Sequence, residues 1–106
     1  MRSFTSTEQA LITDSIELES GQRVVLLDVA GRRDMATDDV NRNIYCIAPS
    51  GQIIWQAGAD GTIQGHDSFV SLRQHGDGSI TARRFFGNEF LLDPASGELT
   101  HTEWSK

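Results

Sequence analysis

Apolar and polar residues alternate over short stretches along most of the chain, and glycines interrupt the pattern at short intervals. Alternation with a period of two places successive side chains on opposite faces of a strand, so the pattern predicts β-structure. The run RVVLLDVA at 23–30 is almost continuously apolar, which is typical of a strand covered on both faces. Eight strands are predicted, at 10–19, 22–30, 43–48, 52–57, 67–74, 79–86, 88–93 and 98–104.

Helical signals are weak by comparison. Residues 5–13 could form one short helical turn, with Ser6 or Thr7 as its cap and Glu8 in its first turn. No later segment keeps an apolar stripe of helical period. The predicted fold class is therefore all-β, with most strands joined by connections of hairpin length.

The sequence also repeats itself. NIYCIAPSGQII at 43–54 aligns with NEFLLDPASGEL at 88–99, so that Asn43 matches Asn88 and Tyr45 matches Phe90. The two segments are 45 residues apart at the asparagine and, after one inserted residue, 46 apart at the glycine. This period is that of a four-stranded propeller blade.

Residues 77–104, DGSITARRFFGNEFLLDPASGELTHTEW, resemble one repeat of the quinoprotein-type (PQQ-like) β-propellers. The likeness lies in a strand, a glycine turn, a strand ending in Asp-Pro, a Ser-Gly turn and a last strand closing on Trp104. Residues 43–56 resemble the second half of another blade, with Trp55 at its closing position. The whole chain is similar to small stand-alone bacterial proteins of this style. The resemblance implies blade architecture. It says nothing for cofactor chemistry, because the quinone-binding residues of that family come from a full ring, and a closed propeller needs at least about four blades whereas this chain has two.

We therefore expect one all-β domain over 1–106, made of two four-stranded antiparallel blade-like meanders, at about 10–57 and about 67–104. The two units would cover their apolar faces by packing as a sandwich or by rolling into a partial barrel. Pairing with a second chain as a homodimer is the alternative. Trp55 and Trp104 are expected to pack between sheets rather than to stack on a ligand.

Charge and cysteine content limit the function classes. Nine Lys and Arg against fifteen Asp and Glu give a net charge of −6, which repels nucleic-acid phosphates and attracts a basic partner. The alternative interpretation is that a charge of this size merely keeps a small domain soluble. The one cysteine, Cys46, excludes an internal disulfide and is expected to be a buried, unreactive thiol. No apolar run is long enough for a signal peptide or a membrane span, so we expect a cytoplasmic protein without membrane contact.

The most promising binding surface is one rim of the predicted meanders. Alternate connections of an up-and-down meander lie on the same edge, which brings together the loops at 31–42 and 58–66 and the turn at 87–88. The candidate binding residues of this rim are Arg32, Arg33, Asp34, Asp38, Asp39, Arg42, Asp60 and His66. The specific hypothesis is that Asp34, Asp38 and Asp39 face a basic partner. The alternative is a solvated loop in which Arg–Asp pairs contribute little.

Catalysis and metal binding find no support in the sequence. His66 and Asp67 are adjacent and would point to opposite faces of a strand, while His75 lies in the turn HGDG. No His, Cys, Asp or Glu residues recur at a known ligand spacing, and 31–41 lacks the pattern of a calcium loop. We predict no catalytic, cofactor-binding or metal-ligating residue.

Two arginines precede two phenylalanines at 83–86. Such interleaving can suit single-stranded nucleic acid, but on an acidic chain we expect one Phe in the core and one Arg stem covering it.

The leading hypothesis is a non-catalytic protein-binding module of bacterial type. One version is an acidic immunity or inhibitor-type protein that masks a basic toxin or nuclease by charge complementarity. The alternatives are a small-ligand-binding β domain with an apolar pocket between its sheets, and a self-assembling propeller-like unit whose copies complete a ring.

Overall fold

The computed structural model describes residues 2–30, 32, 34–58 and 67–101, which form two four-stranded antiparallel sheets. The first sheet contains, in spatial order, β1 (Ile12–Glu17), β2 (Arg23–Leu27), β3 (Ile44–Ile47) and β4 (Ile53–Gln56). The second contains β5 (Phe69–Gln74), β6 (Ile80–Arg84), β7 (Glu89–Leu92) and β8 (Leu99–His101). The all-β prediction is confirmed, and each predicted strand contains one observed strand. Trp104 lies outside the described residues.

In the described part of the chain, two short helices accompany the sheets. In α1 (Ser6–Leu11), Thr5 is the N-cap: its Oγ1 accepts a hydrogen bond from the Glu8 amide at 3.1 Å, and the Glu8 carboxylate accepts one from the Thr5 amide at 2.9 Å. This reciprocal capping box places the N-cap of the helix one residue before Ser6 and two residues before Thr7, the two predicted caps. The second helix, α2 (Thr37–Asn41), lies in the predicted loop at 31–42 and buries Val40. Five residues are too few to show a helical stripe in the sequence.

The first sheet is buried on both faces, as the apolar run at 23–30 predicted. One face, called here the front face, carries buried side chains of Val25, Leu27, Tyr45, Ile47 and Ile53. Phe4, α1 and α2 cover this face, and the Phe4 ring meets the Tyr45 ring edge-on at 5.0 Å. Residues 2–4 also pair with the edge of β4, since the Ile53 amide donates to the Arg2 carbonyl at 2.9 Å.

The other face of the first sheet, its back face, packs against the second sheet. The core between them consists of Ile16, Val24, Leu26, Ile44, Cys46, Trp55 and Ala57 from the first unit and Phe69, Leu72, Ile80, Ala82, Phe90 and Leu92 from the second. Within the described residues the two sheets stay separate, so the sandwich is the packing that forms and not the partial barrel. Trp55 is 7% exposed in this core, as expected, and its Nε1 donates to the Pro94 carbonyl at 2.9 Å.

The two units stack in the same direction. Strand pairing makes their second hairpins equivalent: Ile47 pairs with Ile53 in the first, and Leu92 pairs with Leu99 in the second. Tyr45 and Phe90 occupy the same place, yet Tyr45 lies in the front core and Phe90 lies against the back of the first sheet. The front of the second unit therefore packs on the back of the first.

This order leaves the back face of the second sheet uncovered by any described element. The buried back-face residues of the first unit are Val24, Leu26, Ile44, Cys46 and Trp55; by strand register their counterparts in the second are Thr81, Arg83, Glu89, Leu91 and Thr100. All five positions change from apolar and buried to partly or fully exposed, and four of them become polar. Among the described residues, the back face of the second sheet is therefore mostly polar and accessible to solvent.

A buried asparagine joins the two units. Asn43 is fully buried, and its Nδ2 donates to the carbonyls of Leu27 at 2.8 Å and Phe69 at 2.9 Å. Its Oδ1 accepts from the Phe69 amide at 2.9 Å, so the side chain pairs with β5 as a strand backbone would. Its counterpart in the repeat, Asn88, is exposed. The same residue type therefore serves different purposes in the two units.

Candidate functional site

The rim predicted from the meander is formed by contacts between loop ends. Asn41, at the end of α2, accepts a hydrogen bond from the Asp67 amide on its Oδ1 at 2.7 Å. Arg84, at the end of β6, donates from Nη1 to the carbonyls of Asn41 at 2.9 Å and Asp67 at 2.6 Å. The loop before β3, the start of β5 and the turn after β6 thus meet at one edge. Sequence reasoning did not place the three residues that join them, Asn41, Asp67 and Arg84, among the rim candidates.

The acidic residues proposed for this rim are largely paired. Arg32 Nη2 lies 2.7 Å from Asp34 Oδ2, and Arg42 Nη1 lies 3.2 Å from Asp38 Oδ2. The Arg32 guanidinium lowers the pKa of the Asp34 carboxyl through their hydrogen bond. Both carboxylates are mostly exposed, so each ion pair contributes little to stability.

The remaining rim candidates divide into two groups. Asp39 accepts a long hydrogen bond of 3.4 Å from Gln56 Nε2. Arg33, Asp60 and His66 lie outside the described residues. The described rim candidates therefore carry three carboxylates and two guanidiniums. Because these charges nearly balance, the three aspartates do not form an acidic patch.

The most unusual feature of the rim is a pair of exposed phenylalanines. Phe85 and Phe86 are 70% and 74% exposed and contact each other edge-on, with ring centroids 5.3 Å apart. We call this pair the aromatic tip. The prediction that one Phe enters the core under an Arg stem is wrong, because both rings are outside and the buried residue of the four is Arg84.

Burial of Arg84 explains why the phenylalanines are displaced. Its guanidinium carbon lies 4.1 Å from the Phe69 ring centroid and 5.3 Å from that of Phe90, so two aromatic faces receive the cation. Its Nη1 is held by the two rim carbonyls described above. Arg84 therefore occupies the last inward position of β6, and the chain turns back immediately afterwards with Phe85 and Phe86 at the turn.

The backbone of the aromatic tip is firmly held. The Phe85 amide donates to the Ser68 carbonyl at 2.9 Å, and the Phe86 amide donates to Asp67 Oδ1 at 3.1 Å. The turn closes with the Gly87 amide on the Arg84 carbonyl at 2.9 Å, and Gly87 has a φ of 103°. The rings are thus presented from a fixed turn, which reduces the entropy lost when a partner binds them.

A small depression adjoins the tip where the two sheets meet. Its volume is about 150 Å³, and its lining includes Thr13, Asp28, Ala30, Ser68 and Val70. Ser68 connects the two features, since its carbonyl holds the Phe85 amide. Val70 is 47% exposed at the bulge of β5 and contributes apolar surface to this depression.

Groups with reactive side chains lie elsewhere and are engaged in structural contacts. Cys46 is buried in the intersheet core, where burial raises the pKa of its thiol, and its Sγ lies 3.6 Å from Gln22 Oε1. His75 Nε2 is 2.8 Å from Thr81 Oγ1. Across the described ranges, no three His, Cys, Asp or Glu side chains gather closely enough to hold a metal ion.

Comparison with known proteins places the chain in a family. A family model matches residues 7–104, from α1 beyond the end of β8. The chain belongs to the family described as Domain of unknown function (DUF7957). The family's region thus includes both sheets, the rim and the aromatic tip. Neither a curated protein nor a solved structure matches the chain. Neither of the helices in the described part of the chain has the length and apolar character needed to cross a membrane.

Proposed function

We propose that this protein is a non-catalytic protein-binding module that uses the aromatic tip as its anchor. The observation that carries the proposal is the exposure of two adjacent phenylalanines, at 70% and 74%, on a turn fixed by backbone hydrogen bonds. Large apolar side chains placed together on a surface mark interaction sites more often than isolated ones do. Aromatic residues are also enriched at the centres of protein interfaces.

The size of the tip fits an energetic anchor. Burying the exposed part of one phenylalanine removes apolar area worth about 3 kcal/mol, so two rings supply enough to dominate a small interface. The neighbouring Val70 and the depression beside Ser68 extend the surface that a partner would cover. A fixed turn adds to this because little conformational entropy is lost on binding.

A basic partner, as in an immunity or inhibitor-type protein, is the version favoured by the net charge of −6. The pairing of Asp34 with Arg32 and of Asp38 with Arg42 makes the acidic rim a secondary contributor. In this proposal charge speeds the encounter with the partner, and the aromatic tip supplies most of the affinity.

The stacking of the units bears on the ring-forming alternative. Cyclic repetition requires that equivalent units pack front to back, and the two units here follow that order, which supports their proposed kinship with propeller blades. A ring would also need a free front face and an apolar back face. Residues 2–11 cover the front of the first unit, and Arg83 and Thr81 stand on the back of the second. The form we propose is therefore a stack of two units, covered at its front by residues 2–11 and ending in a polar back face.

The test compares partner capture by matched variants. The native protein, the double variant F85S/F86S and the control L91S are immobilised and exposed to host extract, and each partner retained by the native protein is then purified for calorimetry. We expect F85S/F86S to weaken binding by at least 100-fold and L91S to leave it unchanged, because Leu91 is 44% exposed on the distant back face.

The triple variant D34N/D38N/D39N separates charge from apolar contact. It should slow association and reduce the salt dependence of binding while leaving most of the affinity. Circular dichroism establishes that each variant is folded. A partner bound equally well by native protein and F85S/F86S would refute the role of the aromatic tip.

A further inference from the structure

The back face of the second sheet carries a second feature, which is independent of the aromatic tip. A depression of about 140 Å³ opens there, lined by Ser71, Arg73, Thr81, Arg83 and Glu89. Every residue that lines it is polar or charged, and it lies where the first unit has the apolar surface that receives the neighbouring sheet. Packing against a neighbouring sheet therefore does not determine which residues occupy these positions, and another reason is needed for their polar and charged side chains.

Strand register arranges four of these residues as a two-by-two block. Ser71 pairs with Arg83, and Arg73 pairs with Thr81, so hydroxyl and guanidinium groups alternate across β5 and β6. The two arginines are diagonal neighbours on one face, a separation that long side chains span easily. Both guanidiniums can therefore reach a single group seated between them.

The two arginines form no competing ion pair within the described part of the chain, where Arg2, Arg32 and Arg42 are the arginines that pair with carboxylates. Both side chains are exposed and not engaged in packing. Glu89 bounds the depression on the β7 side, next to Arg83 in the register, and reduces its net positive charge to one. On a chain with a net charge of −6, this is a local reversal of sign.

We propose that this depression binds the phosphate group of a small soluble molecule. Two guanidinium forks and the Ser71 hydroxyl offer more donors than one carboxylate can accept, whereas a phosphate presents three terminal oxygens. The volume of about 140 Å³ corresponds to four or five waters at about 30 Å³ each, which is room for one such group. A phosphate on an anionic membrane is disfavoured because the whole chain is acidic.

The position of the site is consistent with weak, reversible binding. The depression is shallow and open to solvent, so water and salt screen the attraction. Thr81 contributes less than Ser71, because its hydroxyl is already within 2.8 Å of His75 Nε2. We expect dissociation constants for inorganic phosphate in the millimolar range.

The test is a titration of the full chain with inorganic phosphate, monitored by the amide chemical shifts in NMR spectra. The pH and the ionic strength are kept constant by exchanging chloride for phosphate. Saturable shifts are expected at 71, 73, 81 and 83, with competition by sulfate. R83Q should weaken binding at least tenfold, and the matched variant R23Q, which removes the same charge from the first sheet, should not. O-phosphoserine should bind as inorganic phosphate does.

Two results would overturn the proposal. Shifts that rise linearly with phosphate and are equal in native protein, R83Q and R23Q would show only general salt effects. Flotation with vesicles containing phosphatidic acid, without saturable binding of free phosphate, would show that a membrane surface is the ligand instead. The site lies on the opposite side of β6 from the buried Arg84, so its failure leaves the proposed role of the aromatic tip untouched.

Discussion

Replacing Gly97 with alanine should be among the most damaging single-methyl changes in the protein. Gly97 follows the turn between β7 and β8 and has a φ of 79°. A Cβ at this position would lie 2.5 Å from Trp55 Cε3 and 2.8 Å from Trp55 Cδ2. The indole cannot easily withdraw, because it is 7% exposed and its Nε1 is bonded to the Pro94 carbonyl at 2.9 Å.

A matched control variant separates two contributions to the expected loss in the free energy of unfolding, the backbone cost and the overpacking of the indole. Gly51 occupies the corresponding turn of the first unit with a φ of 89°, but its nearest neighbour to an added Cβ is Gln9 Nε2 at 3.8 Å. G51A therefore meets only the backbone cost of a left-handed alanine, about 1 to 2 kcal/mol. G97A meets the same cost and in addition overpacks the indole, which adds about 1 to 3 kcal/mol.

The assay is urea unfolding at 25 °C, followed by tryptophan fluorescence and circular dichroism. A domain of this size has a free energy of unfolding of roughly 5 to 15 kcal/mol, so a total loss of about 2 to 5 kcal/mol for G97A is readily measured. In the W55L background the cost of G97A should fall toward that of G51A, since the smaller side chain relieves the contact. Equal losses for G97A and G51A in the native background would refute the reasoning.

Three further predictions concern buried and paired groups. N43A should lower the free energy of unfolding, measured in urea, by about 2 to 4 kcal/mol because it leaves the Phe69 amide and carbonyl without their hydrogen-bond partner. The variant N88A, at the exposed counterpart, should lower it by under about 0.5 kcal/mol, and similar losses for the two variants would contradict the bridging role of Asn43. The hydrogen bond from Arg2 lowers the pKa of Glu8 in the folded protein, so the stability that this carboxylate contributes is complete above about pH 5 and is lost as the pH falls through the folded pKa. E8Q should therefore make the urea midpoint less dependent on pH between about pH 5 and 3, and a pH profile identical to that of the native protein would contradict this role of Glu8. Cys46 should react with Ellman's reagent only when the chain unfolds, because burial shields its thiol and raises the pKa of that thiol. Stoichiometric labelling within minutes in native buffer would contradict this prediction.

Much of the fold could be predicted because its signals are local. Alternation located all eight strands, and the run at 23–30 indicated a strand covered on both faces. The aligned segments around Asn43 and Asn88 predicted equivalent hairpins, and the strand registers confirm them. Helix α2 was missed because five residues carry no period, and it forms where Val40 can be buried against the front face.

The candidate site was less accessible to sequence reasoning. The contacts of Asn41, Asp67 and Arg84 lie at the edge that the meander argument indicated, while 59–66 are outside the described residues. That argument named charged residues for the edge, and two of them are neutralised by neighbouring arginines. The aromatic tip was missed because Phe85 and Phe86 look like core residues and Arg84 looks like surface. A signal was present in the glycine at 87, which turns the chain directly after them and leaves little strand in which to bury either ring.

The sequence alone determined the strands, the turns and the number of units, because backbone propensity and side-chain period act over a few residues. Only the tertiary structure decided which face each unit buries, and that Asn43 pairs with β5 while Asn88 remains in solvent. It also decided that Arg84 rather than a phenylalanine enters the core, since two rings and two carbonyls from distant segments converge on that one position. Burial depends on partners brought from elsewhere in the chain, and no local pattern contains them.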